Sequence, residues 1–402
     1  MACLGSVRLC ARVEKLCQIG QNAQVRRKAS SVRLKQLVDQ PLTRSAVKSC
    51  QAAAAGSSRL LSSVRSQQPG SLPEYRIDPY QLVDDDLKNV HLDVQEELRR
   101  HTGHDELYTI AQYYFDGQGK CLRPMLCLLL SHALNFHIHK KDVPLSDKQK
   151  RVAMIAEMVH SASLIHDDVI DCSDFRRGKP SVNVLWNHKK VAMSGDFILA
   201  VASILIARIN NDDVTICLGQ VLTDLVQGEF MQLGSKETEN ERFTHYLTKT
   251  YRKTASLIAN YLKAESMLAG ADEGLTELAF QYGRNVGLAF QLVDDLLDFV
   301  ASSSALGKPA AADLKLGLAT APVLFACEKY PELNAMIMRR FQEPGDVEHA
   351  FELVHKSQGL EQTQFLARKH CIEAQRLAER IAESPYQKGL LVVTDLVLNR
   401  MK

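Results

Sequence analysis

Acidic residues are almost missing from the start of the chain: the first 73 positions hold only Glu14 and Asp39 against twelve Lys or Arg, a net of +10. Because the whole chain carries +2, the rest carries −8. The same stretch lacks the apolar central run of a secretory signal and is rich in Ser, Ala, Gln and Arg ("VRRKASSVRLKQ", "AAAAGSSRLLSSVRSQQPGS"), a composition similar to that of a mitochondrial transit peptide. Residues 1–73 are therefore expected to be a leader, removed or disordered, and the protein mitochondrial, in the matrix. A basic tail binding nucleic acid or acidic lipid is the competing reading; no nucleic-acid partner is expected for residues 74–402.

Zinc-type cysteine spacing is absent too. Of ten cysteines, Cys3, Cys10, Cys17 and Cys50 fall in the leader, and Cys121, Cys127, Cys172, Cys217, Cys327 and Cys371 form no CxxC pair, so reduced thiols are expected. The longest apolar runs, such as "FILAVASILIA", are shorter than the ~18 residues of a membrane span, and a soluble or peripheral protein is expected. No proline occurs from 181 to 308, alternating strand patterns are scarce, and apolar residues recur every three or four positions. With loops at "FDGQGKCLRP", "FRRGKPSV", "SKETENE" and "SSSALGKPAAAD", residues 74–402 are expected to form one all-α bundle of ten or more helices.

What is present is concentrated acid. In "LIHDDVID", Asp167, Asp168 and Asp171 end an apolar run, and at about 100° per residue His160, Asp167 and Asp171 share a narrow stripe with Asp168 beside it. Buried unpaired, such carboxylates are costly and need cations; exposed at a helix end, they need nothing. A second stretch, "FQLVDDLLDF", repeats the D-D-x-x-D spacing with Gln291, Asp294, Asp295 and Asp298 on one face. Six carboxylates at the mouth of an apolar bundle form an oxygen-only site that suits Mg²⁺ and leaves positions for phosphate oxygens. An EF-hand fits poorly, since counting from Asp167, Asp168 or Asp171 puts Cys, Ser or Arg where that loop needs Gly.

Phosphate calls for bases in loops that reach the same mouth. Lys120 and Arg123 stand in "GKCLRP", Arg176 and Arg177 in "FRRGKP", Lys253 with Thr254 in "RKT", and Lys308 and Lys315 in "GKP" and "DLKLG". Arg grips phosphate bidentately and Lys supplies point charge.

Together, "GKCLRP", "HSASLIHDDVIDCSDFRRG", "GEFMQL", "KT" and "FQLVDDLLDF…GKP" resemble the trans-prenyl diphosphate synthases, over about residues 80 to 400, and more narrowly their mitochondrial decaprenyl branch, which makes the polyprenyl tail of ubiquinone. The resemblance implies an all-α isoprenoid-synthase fold with a central cavity, acting as a homodimer or as a heteromer with a second, divergent synthase subunit. It implies an allylic diphosphate bound through Mg²⁺ by Asp167, Asp168, Asp171, Asp294, Asp295 and Asp298 and contacted by Arg176, Lys253 and Lys308. Isopentenyl diphosphate would be held by Lys120, Arg123, His160 and Arg177. Thr254 and Gln291 would shield the allylic cation, with Glu229, Gln232 and Lys315 lining the cavity. Peripheral membrane contact would serve product release. In many relatives a Gly stands where Ala311 or Ala312 stands here.

The alternatives are a class I terpene cyclase, which typically replaces the second aspartate motif, a non-catalytic partner subunit, which would be expected to have lost aspartates or bases, and a shorter-chain geranylgeranyl synthase. Chain length points to the residues before the first motif. A hydrocarbon anchored by its diphosphate at the helix end must run past Ala162 and Ser163, with Ala156 further down. Bulky aromatics there close the cavity of short-chain relatives; small residues leave a deep tunnel.

Overall fold

Twelve consecutive residues, Pro124 to Asn135 ("PMLCLLLSHALN"), are buried, which a helix achieves only when neighbours cover it on all sides. The computed structural model, which describes residues 77–117, 119, 121–234, 241–300 and 311–401, is helical nearly throughout. The expected leader, Lys120 and Lys308 lie outside the described residues. Eleven helices of nine residues or more occur among the described residues. They are α1 (Val90–Arg100), α2 (Leu122–His139), α3 (Asp147–Ile170), α4 (His188–Arg208), α5 (Asp212–Gly234), α6 (Arg242–Thr250), α7 (Ser256–Leu268), α8 (Glu273–Val300), α9 (Asp346–Lys356), α10 (Gly359–Ala378) and α11 (Pro385–Leu398). The all-α bundle expected from the periodicity is what forms.

Local chemistry sets the ends. Ser146 accepts a bond from the Gln149 N–H while the Gln149 side chain returns to the Ser146 N–H, a reciprocal cap that starts α3. Pro385 at the first turn of α11 and the Ser384 hydroxyl do the same there. The central post is α7, which packs on α2, α3, α5 and α8. Its buried polar groups find partners on neighbouring helices: Ser256 donates to Asp224, and one Glu265 oxygen accepts from Ser131 at 2.7 Å. Around it α3 packs on α4, α8 on α10, and α11 on both α10 and α2. Each fully buried leucine of α2, such as Leu126 or Leu130, contributes about 1.5–3 kcal/mol.

Two features position the site. Residues Tyr251–Ala255, between α6 and α7, form one π-helical turn, the kind of insertion often found at functional sites. Glycines let it sit close: a Cβ on Gly287 of α8 would lie 2.6 Å from the Ala255 Cα, and one on Gly228 of α5 would lie 2.9 Å from the Lys253 nitrogen. Gly287→Ala is therefore expected to cost about 1–3 kcal/mol by overpacking and to lower turnover by displacing the π turn. Gly274→Ala, whose new Cβ meets only ordinary contact at 3.5 Å, should do neither; denaturation midpoints and turnover of the two variants check this.

The second feature is a hairpin of Phe175–Arg176 and Lys179–Pro180. Its turn residues Arg177 and Gly178 have φ of +54° and +77°, as a two-residue hairpin of primed type needs. Lys179 anchors it to Asp116 at 2.6 Å.

One expectation needs correction. The apolar runs read as too short for a membrane span, yet α4 is long and apolar enough by length and composition, with a mean hydropathy of 1.8 over its best window. Isolated Ser and Asp residues interrupt the runs but leave the mean high. The buried face of α4, including Val191, Ile198 and Ala202, packs on α3, so part of this apolarity serves the core.

Candidate active site

Both aspartate motifs converge on the π turn. From α3, Asp167 lies 3.9 Å from the Lys253 ammonium, which also pairs with Glu229 of α5 at 2.6 Å. From α8, Gln291 accepts a bond from the Thr254 hydroxyl at 2.9 Å and donates to Asp295 at 2.9 Å. Neighbouring residues of one turn thus reach one motif each.

Within each motif the aspartates occupy different environments. Asp168 is fully buried and accepts from the Tyr114 hydroxyl at 2.5 Å and from Arg176 Nε and Nη2 at 2.9 and 2.6 Å. Asp295 is its counterpart, buried and accepting from the Tyr246 hydroxyl at 2.5 Å and from Gln291. Burial pushes the Asp295 carboxyl up and lowers the nearby Lys249 ammonium. Asp298 receives the Ala312 and Asp313 N–H groups, each at 3.0 Å, and so caps the short helix Ala312–Lys315. Asp167, Asp171, Asp294 and Asp298 are partly exposed, and of these Asp298 is taken up by backbone N–H groups. Against the expectation that all six aspartates face metal, four of them, Asp168, Asp295, Asp298 and Asp294, already hold protein donors, and Arg176 is committed to Asp168.

The first aspartates share one electrostatic state. Burial raises Asp167 to about 6, with Lys253 acting the other way. Burial also raises Asp294 to about 6, opposed chiefly by Arg400, whose Nη2 lies 2.9 Å from it. Burial alone would depress Lys253, but Asp167 and Glu229 outweigh it and hold its pKa above the ordinary value.

Beside the aspartates lies a cluster of cations. Arg123, pushed down by burial, senses Glu157 and Asp294 and is opposed by Arg177 and Arg400. Arg123 Nε, Arg177 Nη1 and Arg400 Nη1 are buried without a hydrogen-bond partner, and the Arg123 and Arg400 guanidiniums lie 5.9 and 4.1 Å from the centre of the Phe290 ring. His160 faces the same group: burial, then Arg123, Arg177 and Arg176, hold its imidazole well below the ordinary value. Mutually repelling guanidiniums with unsatisfied N–H groups are what an anion resolves.

The other predicted residues scatter. Gln232 is partly buried on α5, near the end of the helix that carries Glu229, and Lys315 is exposed. Ala311 has φ of +58°, the left-handed region that costs a residue with a Cβ about 1–2 kcal/mol. Ala162 is fully buried, and the partly buried Ser163 turns its hydroxyl to the His160 carbonyl at 2.8 Å. Two clefts near α1, one of about 220 Å³ lined by Asp93, Arg100 and Arg151, contain none of the candidate residues.

Residues 104–354 match the Polyprenyl synthetase family. The chain belongs to that family. It is 52% identical over 325 residues to the all trans-polyprenyl-diphosphate synthase of Homo sapiens, covering 81% of this chain and 78% of that protein. It is 40% identical over 345 residues to decaprenyl-diphosphate synthase subunit 1 of Schizosaccharomyces pombe, covering 80% and 91%. Its fold is similar to the crystal structure of a polyprenyl synthase from Caulobacter crescentus complexed with calcium and isoprenyl diphosphate, with a TM-score of 0.72, 28% identity and coverage of 82% of this chain and all of that one. The chain is thus a prenyltransferase of the polyprenyl diphosphate synthase type, with the all-α fold expected from its motifs.

Sequence reasoning missed Tyr114, Tyr246, Lys249 and Arg400. The two tyrosines lie 54 and 49 positions from the aspartates they bond, and Arg400 is the third residue from the chain end. Only the basic character of "NRMK" hinted at the last.

Proposed function

We propose that this enzyme adds isopentenyl diphosphate repeatedly to an allylic diphosphate, making an all-trans polyprenyl diphosphate of about decaprenyl length for the side chain of ubiquinone. The observation that carries the reading is the pairing of partly exposed carboxylates not taken up by backbone N–H groups, Asp167, Asp171 and Asp294, with a separate cradle of guanidiniums. One set suits a diphosphate that leaves through metal; the other suits a diphosphate that stays. The carboxylates fit a hard divalent ion, and Mg²⁺ bound there would neutralise charge on the departing pyrophosphate.

The protein's own groups do the rest. Lys253 adds fixed positive charge beside Asp167, and Lys308 belongs to the same role. Arg123, Arg177 and Arg400 bind the isopentenyl diphosphate, with Lys120 assigned to the same site. His160, kept neutral, donates a hydrogen bond without adding charge. The Thr254–Gln291 pair presents oxygen dipoles beside the allylic carbon as positive charge develops. Asp168 and Asp295, locked by Tyr114 and Tyr246, fix the motif backbones, and Glu229 orients Lys253. Loss of a proton then completes each five-carbon addition.

An exposed apolar stripe supports a partner. Ile216, Val226 and Phe230 on α5 are 67%, 67% and 78% exposed and share one helix face, while Met193 and Ile204 do the same on α4. Such a surface fits a second copy or a second synthase subunit. The acid-poor leader supports a mitochondrial matrix location, and peripheral membrane contact would receive the insoluble product.

Incubation with isopentenyl and farnesyl diphosphates and Mg²⁺ tests the activity. Long polyprenyl products are expected. Cyclic hydrocarbons, or no product even after supply of a copurifying subunit, would refute it.

A further inference from the structure

Three helices of the bundle bring together a histidine, a thiol and a carboxylate that the prenyl-transfer chemistry leaves unused as donors. His91 opens α1, Cys121 immediately precedes α2, and Glu157 lies midway along α3. One donor atom from each lies within 4.8 Å of the other two, and His91 Nε2 is 2.8 Å from Cys121 Sγ.

Few hydrogen bonds engage these groups, although the Glu157 charge also acts on Arg123. Glu157 is 1% exposed, and its Oε1 has no hydrogen-bond partner, nor has the buried Nδ1 of His91. Beyond His91, the thiol has a weak contact with the Gly119 carbonyl at 3.5 Å. Leaving a carboxylate oxygen dry and unpaired costs free energy that a cation would recover.

We propose that His91, Cys121 and Glu157 form a binding site for a thiophilic divalent cation of the zinc type, separate from the aspartate site. The donor set decides the class. Magnesium takes oxygen ligands, whereas imidazole, thiolate and carboxylate together suit Zn²⁺ or Co²⁺. Bond lengths of about 2.0–2.3 Å around a tetrahedral ion place donors about 3.4–3.7 Å apart. The 2.8 Å contact must open and the longer separations close, each by less than a side-chain rotation supplies.

Burial pushes the Cys121 thiol up to about 12, with the Glu157 charge adding to it, so the metal must displace the thiol proton. One proton leaves to solvent as the metal–sulfur bond forms, and binding strengthens as pH rises. The fourth position stays open to water. Occupancy would tie α1 and the "GKCLRP" loop to α3 and place a cation on the carboxylate that Arg123 senses.

The test uses the full chain, stripped with chelator and then held in excess Mg²⁺ so that the aspartates are occupied. Titration with Co²⁺ should produce a thiolate charge-transfer band saturating at one ion per chain, with Zn²⁺ abolishing it. Cys121→Ser should remove the band, and His91→Ala and Glu157→Gln should each weaken Co²⁺ binding about tenfold or more, the loss that even a supporting residue of a metal site causes. Cys172→Ser, which removes an exposed thiol, should leave the band intact. Circular dichroism of the metal-free variants confirms that they fold. A band that survives Cys121→Ser, or no band in the folded wild type at excess Co²⁺, overturns the proposal.

Discussion

Replacing Asp167 or Asp294 with asparagine should lower turnover by about three orders of magnitude, as loss of a metal-directed carboxylate does, while raising the melting temperature of the metal-free protein. The two effects have one origin. Each carboxyl is held near 6 by burial against an ordinary 3.8, so each binds its proton more tightly folded than unfolded. Its contribution to stability is therefore greatest below about pH 4 and is lost as pH rises through 6. At pH 7.5 the metal-free enzyme keeps both groups ionised at a cost on the order of 1–2 kcal/mol each, after allowance for their partial exposure. Asparagine removes that cost, which is worth a few degrees. Millimolar Mg²⁺ should stabilise the wild type more at pH 7.5 than at pH 5.5, where the carboxyls mostly hold protons, and should stabilise the asparagine variants less. Thermal melts with and without chelator, run beside steady-state assays, measure all of this. Normal turnover in either variant, or full activity in excess chelator, would sink the metal assignment.

That both aspartate helices were legible in the sequence follows from where their information sits. D-D-x-x-D is a local pattern at the end of an apolar run, and helical periodicity places its members without knowledge of anything else. The same locality explains the correct reading of "FRRGKP" as a turn, because Arg177–Gly178 adopts positive φ on its own account. What could not be read was which aspartates are locked by buried tyrosine hydroxyls. Asp168 and Asp295 look identical to Asp167 and Asp294 until Tyr114 and Tyr246 arrive from distant segments to bind them. The π turn was equally hidden, since "YRKTA" has ordinary helical residues and the widened turn arises where Gly228 and Gly287 admit it. Arg400 joins the cation cluster only because α11 runs back along α2 and α8 to the mouth. Pairings of this kind are tertiary, and no window of sequence contains both partners.

Substituting phenylalanine at Ala162 and Ser163, separately and together, should shift the product from long polyprenyl towards farnesyl or geranylgeranyl diphosphate without abolishing the first condensation. These residues precede Asp167 by about one turn on α3, so an allylic chain anchored at that aspartate and directed inward passes them first. Ala162 and, further down, Ala156 are fully buried, and α3 is enclosed there by α2, α4 and α7, which makes the path an interior one. Small side chains in such a place have two uses, and the variants separate them. If Ala162 serves only close helix packing, a ring at that position overpacks the core and costs about 1–3 kcal/mol or more, and the melting temperature falls with no change in product. If the position borders the tunnel, the ring fills space that the hydrocarbon would occupy, the fold survives, and elongation stops early because further units have no room. Ser163 is half-buried and its hydroxyl bonds only its own helix at the His160 carbonyl, so Ser163→Phe keeps the test open if Ala162→Phe fails to fold. Chromatography of dephosphorylated products reads the result. An unchanged long-chain profile from a folded, active double variant, or from Ser163→Phe where the double variant does not fold, would mean that the growing chain takes another route.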